Sequence, residues 1–458
     1  MLLSKLFDRF IEQAPVCVAA RVILEAALNS TALDRLFDRT AERQYCRELL
    51  FSTCVDLMGL VVSRSHRSIH AAYQASAAEI GVSLKSVYAK MANVEPSTSA
   101  ALVRHAADRL APVIHRIKGT LPPPLKGFRT KILDGNHLER TQRRLKPLRD
   151  VAAGPLPGQT LVVLDPALGL AIDVICCEDG HAQERSLFAD VLALVEEDDL
   201  WIADRNFCTT KLLFGIAANQ ARFVIRQHAS TLTWERAGRV RQSGRTGTGK
   251  LSEQTLWLTN PDGQTLPVRR VTVALDRPTR DGETAIHLLT NLTAKEAPAK
   301  AVADLYLMRW KIESVFQTLT TVLKCEVNTL GYPKAALFAF CVALAAYNVY
   351  AAVKAALRGA HGGEIVERGV SDFFLADEIA GTYRGMMIAI PPAHWQPLAE
   401  ADTHALAQLL TALAKRASLP RYKKTPRGPK KPKPRRTRFA QAKHIATSRL
   451  LNAEKRGK

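Results

Sequence analysis

The sequence predicts a mixed α/β protein: an open sheet with helices, interrupted by an all-β insertion and flanked by helical N- and C-terminal regions. Three observations predict it. From residue 1 to about 120, Ala- and Leu-rich stretches such as AARVILEAALNSTALDRLF carry apolar residues at helical spacing, with few strand signals. From Lys131 onward, short apolar runs of strand length alternate with helical patterns in the order β-β-β-α-β-α-β. Between about Gln227 and Ala294, a stretch rich in Thr, Val, Gly and Arg breaks that alternation with strand signals alone.

The elements follow in order. MLLSKLFDRFIEQAP reads as an amphipathic helix, because acids among its apolar residues leave no continuous apolar core for a secretory signal. AAEIGVSLKSVYAKMAN (Ala77 to Asn93) has a helix-turn-helix pattern, with Gly81 at the turn, Ser83 as N-cap, and Lys85, Ser86 and Lys90 available to DNA. A plain helical hairpin fits the same residues. LPPPLKG (Leu121 to Gly127) cannot continue a helix and makes a linker. KILDGNHL, LVVLDP and LAIDVICC then read as strands, ERSLFADVLALVEE as an amphipathic helix, LWIADRNF as a strand, TTKLLFGIAANQ as a helix and RFVIRQ as a strand.

In the insertion, LSEQTLWLT, PVRRVTVAL and AIHLLTNL are strand candidates separated by Gly-bearing turns. Helical spacing returns from Lys295 through Lys324 and again from Pro333 to Leu357. The apolar stretch Ala335 to Leu357 is interrupted by Tyr347, Asn348, Tyr350 and Lys354, which favours a buried helix over a membrane span. No membrane partner is expected. With 47% hydrophobic and 23% charged residues among 458, the chain has the balance of a globular protein with several folded regions.

Charge gives the first functional clue. A net charge of +21 attracts polyanions through release of their counterions, so nucleic acid is the expected partner. From Lys415 to Lys458 there are 17 Lys or Arg and one acid, so most of the surplus lies in the last 44 residues. That Pro-rich tail reads as flexible and able to contact phosphates. The eight cysteines contain no C-x-x-C pair, which fits a reducing cytoplasm and excludes zinc spacing. The histidines form no H-E-x-x-H pair, the one H-x3-H spacing, His66 and His70, has no acid between or beside it, and GRTGTGK (Gly244 to Lys250) lacks the strand-to-helix setting of a phosphate-binding loop. It reads as a hairpin loop.

Two acids stand at comparable places. Asp134 ends the strand KILD and Asp204 ends LWIAD, so each carboxylate leaves a rigid sheet at a strand tip, where sites collect in open sheets. Either alone is equally a turn former. On the helix ADLYLMRWKIESVFQTLTTVLK, Tyr306, Arg309 and Glu313 fall at about 0°, 300° and 340° around a continuous axis and so share one face. Taken alone, Arg309 and Glu313 are an ordinary i, i+4 surface pair.

Together these segments resemble the DDE-class insertion-sequence transposases, in the subgroup with a β-rich insertion and a Y-x2-R-x3-E-x6-K signature. The matching residues are Asp134-Gly135, Ala203-Asp204-Arg205-Asn206-Phe207 and Tyr306-x2-Arg309-x3-Glu313. The resemblance implies a ribonuclease H-like catalytic core in which Asp134, Asp204 and Glu313 are both catalytic residues and metal ligands. It implies two Mg²⁺ ions, with Mn²⁺ as a substitute; hard carboxylate oxygens suit both.

Tyr306 and Arg309 are then expected to hold a DNA end, and Lys85 and Lys90 to contact DNA from the N-terminal region. The signature's last Lys is replaced by Thr320, and Lys324, projecting at about 20° from Glu313 on a continuous helix, is the expected substitute. An aromatic residue of the insertion would stack a flipped base; Trp257 and His287 are candidates, each equally an ordinary strand residue.

The expected divisions are a DNA-binding region (1–125), the first part of the core (126–226), the insertion (227–294), the catalytic-helix part (295–358), a helical C-terminal region (359–414) and the basic tail (415–458). The implied activity is metal-dependent cleavage at transposon ends with strand transfer. A nuclease without strand transfer and a non-catalytic DNA-binding derivative are the alternatives. The implied partners are double-stranded DNA, namely terminal inverted repeats and target DNA, and a second copy of the chain in a synaptic homodimer. The implied location is the cytoplasm, at the nucleoid.

Overall fold

In the computed structural model, the described residues are 3–138, 145–150, 154–228, 232–279, 282–327, 330–425 and 444–456. The helical spacing at the N-terminus becomes seven helices: α1 (Asp8–Gln13), α2 (Pro15–Ala27), α3 (Ser30–Thr40), α4 (Phe51–Val62), α5 (Ile69–Ser76), α6 (Leu84–Met91) and α7 (Pro96–Arg116). Ser83 caps α6 as its sequence suggests, its side chain accepting from Ser86 N. The Pro-rich linker leads from α7 into the sheet without regular structure.

The strands are β1 (Arg129–Leu138), β2 (Gly154–Leu156), β3 (Gly158–Asp165), β4 (Leu170–Cys177), β5 (Asp199–Ala203), β6 (Arg222–Arg226), β7 (Trp234–Ala237), β8 (Arg241–Thr246), β9 (Gly249–Thr259), β10 (Thr265–Leu275) and β11 (Ala285–Thr290). One ten-stranded sheet runs β4-β3-β1-β5-β6-β11-β10-β9-β7, with β8 joined to β9. β1 is antiparallel to β3 and parallel to β5, and β5 is parallel to β6. The strands of the insertion therefore continue the first part's sheet, because β11 pairs antiparallel with β6, Leu288 opposite Arg226. Pairing there covers what would otherwise be an exposed edge of β6.

Successive strand residues serve opposite faces. Leu133, Trp201, Ala203 and Phe223 pack with Phe188, Leu212 and Ile216 on one side; Ile132, Ile202 and Val224 join the core on the other. On the first side lie α8 (Phe188–Leu192) and α9 (Thr210–Ala218). The helix expected over 184–197 is thus short, a 3-10 turn at Glu184–Leu187 followed by α8. Its continuation is captured by side chains: Lys131 Nζ donates to Leu194 O at 3.0 Å, and Asp199 Oδ2 accepts from Glu196 N at 2.9 Å.

On the second side the long helix expected over 295–324 is broken into α10 (Ala299–Leu307) and α11 (Trp310–Thr321). Around the break, Met308 N, Arg309 N, Lys311 N and Ile312 N all donate to the carbonyl three residues earlier, so the backbone tightens and turns. α12 (Pro333–His361) follows, the one helix among the described residues long and apolar enough to cross a membrane; 83% of its apolar window is buried within the fold. It packs against α2, α4, α7 and β4 as a core helix. Asn348 on α12 holds both backbone groups of Ala171 on the edge strand β4, at 2.9 and 2.8 Å.

The C-terminal region is helical as expected: α13 (Gly363–Gly369), α14 (Asp372–Ala389), α15 (Gln396–Ala399) and α16 (Thr403–Arg416). The basic tail departs from expectation in two places. Tyr422 is buried, its hydroxyl donating to Glu378 at 2.6 Å. Residues 444–456 form β12 (His444–Ala446), paired in parallel with β2, and α17 (Thr447–Arg456), from which Arg449 reaches Asp179 at 2.6 Å. Residues 426–443, the Pro-rich part of the expected flexible tail, lie outside the described residues.

Candidate active site

Strand register brings the two aspartates together, although only Asp204 stands at a strand end; Asp134 lies within β1, opposite Val162, because pairing with β3 carries that strand on to Leu138. Ile132 and Leu133 on β1 lie beside Ile202 and Ala203 on β5, and the next step of that register sets Asp134 beside Asp204. Neighbouring strands lie about 4.8 Å apart. By the alternation described above, both acids share parity with Ile132 and Ile202 and belong to the face covered by α10 and α11.

From that side Arg309, at the break between the two helices, spans two acids. Its Nη1 lies 3.0 Å from Asp134 Oδ2 and its Nη2 2.5 Å from Glu313 Oε1. Asp134 and Arg309 are largely buried, at 17% and 13% side-chain exposure, whereas Glu313 at 37% opens to solvent. Three residues singled out by sequence therefore meet as an acid, a cation and an acid. Tyr306, at the end of α10, is buried beside Arg309 and Arg226, and burial raises its hydroxyl above the ordinary tyrosine range.

A fourth acid was not foreseen. Glu184, on the 3-10 turn before α8, lies against the backbone of Gly135; a Cβ placed on that glycine would stand 2.0 Å from Glu184 Oε1. Only a residue without a side chain admits the carboxylate there. Burial, followed by the charges of Asp204 and Asp134, pushes Glu184 up to about 7. Asp134 is pushed up to about 6, first by burial; Arg309 pulls it back, while Asp204 and Glu313 push it further. Asp204 Oδ1 accepts from Asn206 N at 2.7 Å, which fixes it as the cap of the following 3-10 turn.

The donor set consists of hard carboxylate oxygens, with proton affinity raised at Asp134 and Glu184, the chemistry a divalent oxygen-loving cation relieves. The geometry is closed by Arg309, which stands between Asp134 and Glu313. Among the described residues, no group of three or more His, Cys, Asp or Glu side chains could hold a metal ion as arranged.

The expected DNA contacts divide. Lys85 is exposed on α6 and lines a groove of about 1100 Å³ together with Lys146, Arg149, Lys334, Lys455 and two acids, Glu178 and Asp179. Lys90 instead turns inward: its ammonium donates to Tyr45 O at 2.8 Å and lies 4.3 Å from the centre of the Phe37 ring. Lys324 lies beyond the end of α11, so the continuous-helix projection beside Glu313 does not hold. Its ammonium donates to Arg67 O at 2.8 Å. Thr320 keeps its hydroxyl on the helix carbonyls of Phe316 and Gln317, and Arg64 reaches its carbonyl at 3.3 Å.

In the insertion, Trp257 is half-buried with Arg236 3.8 Å from its ring centre, and His287 pairs with Thr272 Oγ1 at 2.9 Å. Trp234 on β7, 39% exposed, is an aromatic residue that the strand pattern did not single out.

Residues 159–349 match the family model of the transposase DDE domain. This segment is similar to transposase DDE domains. The match takes in Asp204, Glu313, Arg309 and Tyr306 and begins beyond Asp134. A cryo-EM structure of the piggyBac transposase synaptic complex with hairpin DNA aligns with 90% of this chain and 87% of that one, at 9% identity and a TM-score of 0.37, too low to establish a common fold. No curated protein matches the chain.

Proposed function

We propose that this chain is a DNA transposase that cleaves phosphodiester bonds at transposon ends and joins the released strand to target DNA. The observation that carries this reading is the single guanidinium of Arg309 bridging Asp134 and Glu313, residues from distant parts of the chain, with Asp204 one strand away. The likeness of residues 159–349 to transposase DDE domains supports the same class. The strand order β4-β3-β1-β5-β6, three antiparallel strands followed by two parallel ones, supports a ribonuclease H-like core.

In this reading Asp134, Asp204 and Glu313 hold Mg²⁺, or Mn²⁺ in its place, once Arg309 swings from between them. The bound ions would supply charge stabilisation at the attacking and leaving oxygens. The protein's own residues do the positioning. The planar fork of Arg309, released from the acids, is matched to a phosphate as it is to a carboxylate. Tyr306, held by burial on the neighbouring turn, limits where that guanidinium can go. Lys85 and the cations of its groove would bind backbone phosphates away from the chemistry. Two copies of the chain would bring two DNA ends together.

The test is incubation of the chain with terminal inverted-repeat DNA and Mg²⁺, comparing wild type with Asp204→Asn. Cleavage followed by strand joining in wild type and neither in the variant is the expected result. Cleavage without joining would make the chain a nuclease. Binding without either would make it a non-catalytic DNA-binding protein, and cleavage that survives Asp204→Asn would remove that residue from the site.

A further inference from the structure

We propose that the cavity on the far side of α11 from Glu313 is a binding site for a phosphate group. Lys311, Ser314 and Thr318 on α11 lie roughly 100–160° around the helix from Glu313 and form one wall of a cavity of about 240 Å³. That volume lies below the roughly 300–1,000 Å³ of pockets for drug-sized ligands and suits a small polyatomic anion.

Charge identifies the anion. Four cations line the cavity, Lys311, Lys354, Arg358 and Lys424, against two carboxylates, Glu367 and Asp372. Both carboxylates are already engaged: Lys354 lies 3.0 Å from Asp372 and 3.6 Å from Glu367, and Arg358 lies 3.0 Å from Glu367. Lys354 and Arg358 are themselves withdrawn from water, at 15% and 5% side-chain exposure.

Lys311 has no carboxylate within ion-pair distance among the described residues; its ammonium makes one long hydrogen bond, to Pro166 O at 3.4 Å. Burial, together with the charges of Arg358 and Lys354, holds it below the ordinary lysine range despite the attraction of Glu367 and Asp165. Lys424 is exposed and donates to Glu367 O, so the uncompensated cost falls on the half-buried ammonium of Lys311, which an anion seated beside it offsets. Phosphate suits the point charges of the lysines, while Arg358, whose Nε, Nη1 and Nη2 already donate to Gly119 O, Glu367 and Leu168 O, adds positive charge beside them.

The group can come from free phosphate or a phosphate monoester, or from a nucleic-acid backbone. The two sources share this chemistry. Because the cavity lies behind the helix that carries Glu313, its test needs no cleavage activity.

Inorganic phosphate is titrated into the full chain by calorimetry and by phosphorus NMR, using wild type, Lys311→Met and Thr318→Glu. Melting curves check that each variant is folded. Wild type is expected to bind one phosphate saturably. Lys311→Met should weaken it by about tenfold or more, as the loss of one charge-assisted hydrogen bond does, and Thr318→Glu should do so by placing a carboxylate on the wall.

Adding duplex DNA distinguishes the sources: displacement of the bound phosphate assigns the site to a backbone phosphate, and simultaneous binding assigns it to the free anion. Absence of saturable phosphate binding in wild type, or equal affinity in all three folded proteins, overturns the proposal.

Discussion

Glu184→Gln should stabilise the protein at alkaline pH and leave it nearly unchanged in acid. The carboxyl is pushed from 4.5 to about 7 by burial and by Asp204 and Asp134. Because the folded-state value is raised, the neutral carboxyl's contribution is full below about pH 4.5 and is lost as pH rises through about 7. The full shift corresponds to about 3 kcal/mol, which the group's partial exposure to solvent reduces to about 1–2 kcal/mol. Glutamine keeps the shape and cannot ionise, so above pH 7 it avoids that loss. Relief of Asp134 adds a smaller, coupled share.

The assay is urea unfolding at pH 5 and pH 8, read as the shift of the midpoint at constant slope. A midpoint gain for the variant several times larger at pH 8 than at pH 5 is expected. The same gap at both pH values, or a wild type more stable at pH 8, would refute the reasoning.

Three further outcomes follow from single contacts. Arg309→Ala should raise Asp134 above its present value of about 6, because Arg309 is the charge that pulls it down; carbon-13 titration of the Asp134 carboxyl checks this, and an unmoved titration would show that the bridge is unimportant. Asn348→Leu should destabilise the fold by about 2–4 kcal/mol, since it leaves the N–H and C=O of Ala171 without partners on a buried edge; a midpoint within error of wild type would contradict that account. Ending the chain after Thr425 spares buried Tyr422 and removes 12 Lys or Arg and one acid. The dependence of DNA affinity on salt should flatten, and an unchanged slope would show that the removed segment touches no phosphates.

What could be read from the sequence depended on whether the deciding interaction was local. The run LAIDVICC became β4 over the same residues, Leu170–Cys177, because a short β-rich apolar run is a local signal. Asp134 and Asp204 were visible for the same reason, each being the polar residue on which an apolar run ends, although the strand itself continues past Asp134 to Leu138. Glu313 was visible only through its spacing from Arg309 and Tyr306.

The break between α10 and α11 was hidden, because four shortened hydrogen bonds turn the backbone without disturbing the apolar period. The positions of Lys90 and Lys324 were hidden because the carbonyls that hold them, on Tyr45 and Arg67, are remote in sequence. Nothing local announced that β11 would pair with β6 and make the insertion one sheet with the core. Glu184 carried no motif. The one available hint was Asp134-Gly135, a glycine beside a candidate ligand, where a missing side chain admits a neighbour's carboxylate.

That arrangement explains why the site and the fold pull in opposite directions. Asp134 and Glu313 meet at Arg309, beside the break between α10 and α11, and Arg309 supplies one positive charge to both, while Glu184 lies near Asp134 and Asp204. The remainder is met by raising proton affinity, at Glu184 and Asp134, instead of by pairing. A cluster serving stability alone would be improved by replacing an acid with a neutral residue. Its placement on two adjacent strands, closed by an arginine whose fork fits phosphate as well as carboxylate, is the pattern of a site held ready for charge that arrives with a ligand.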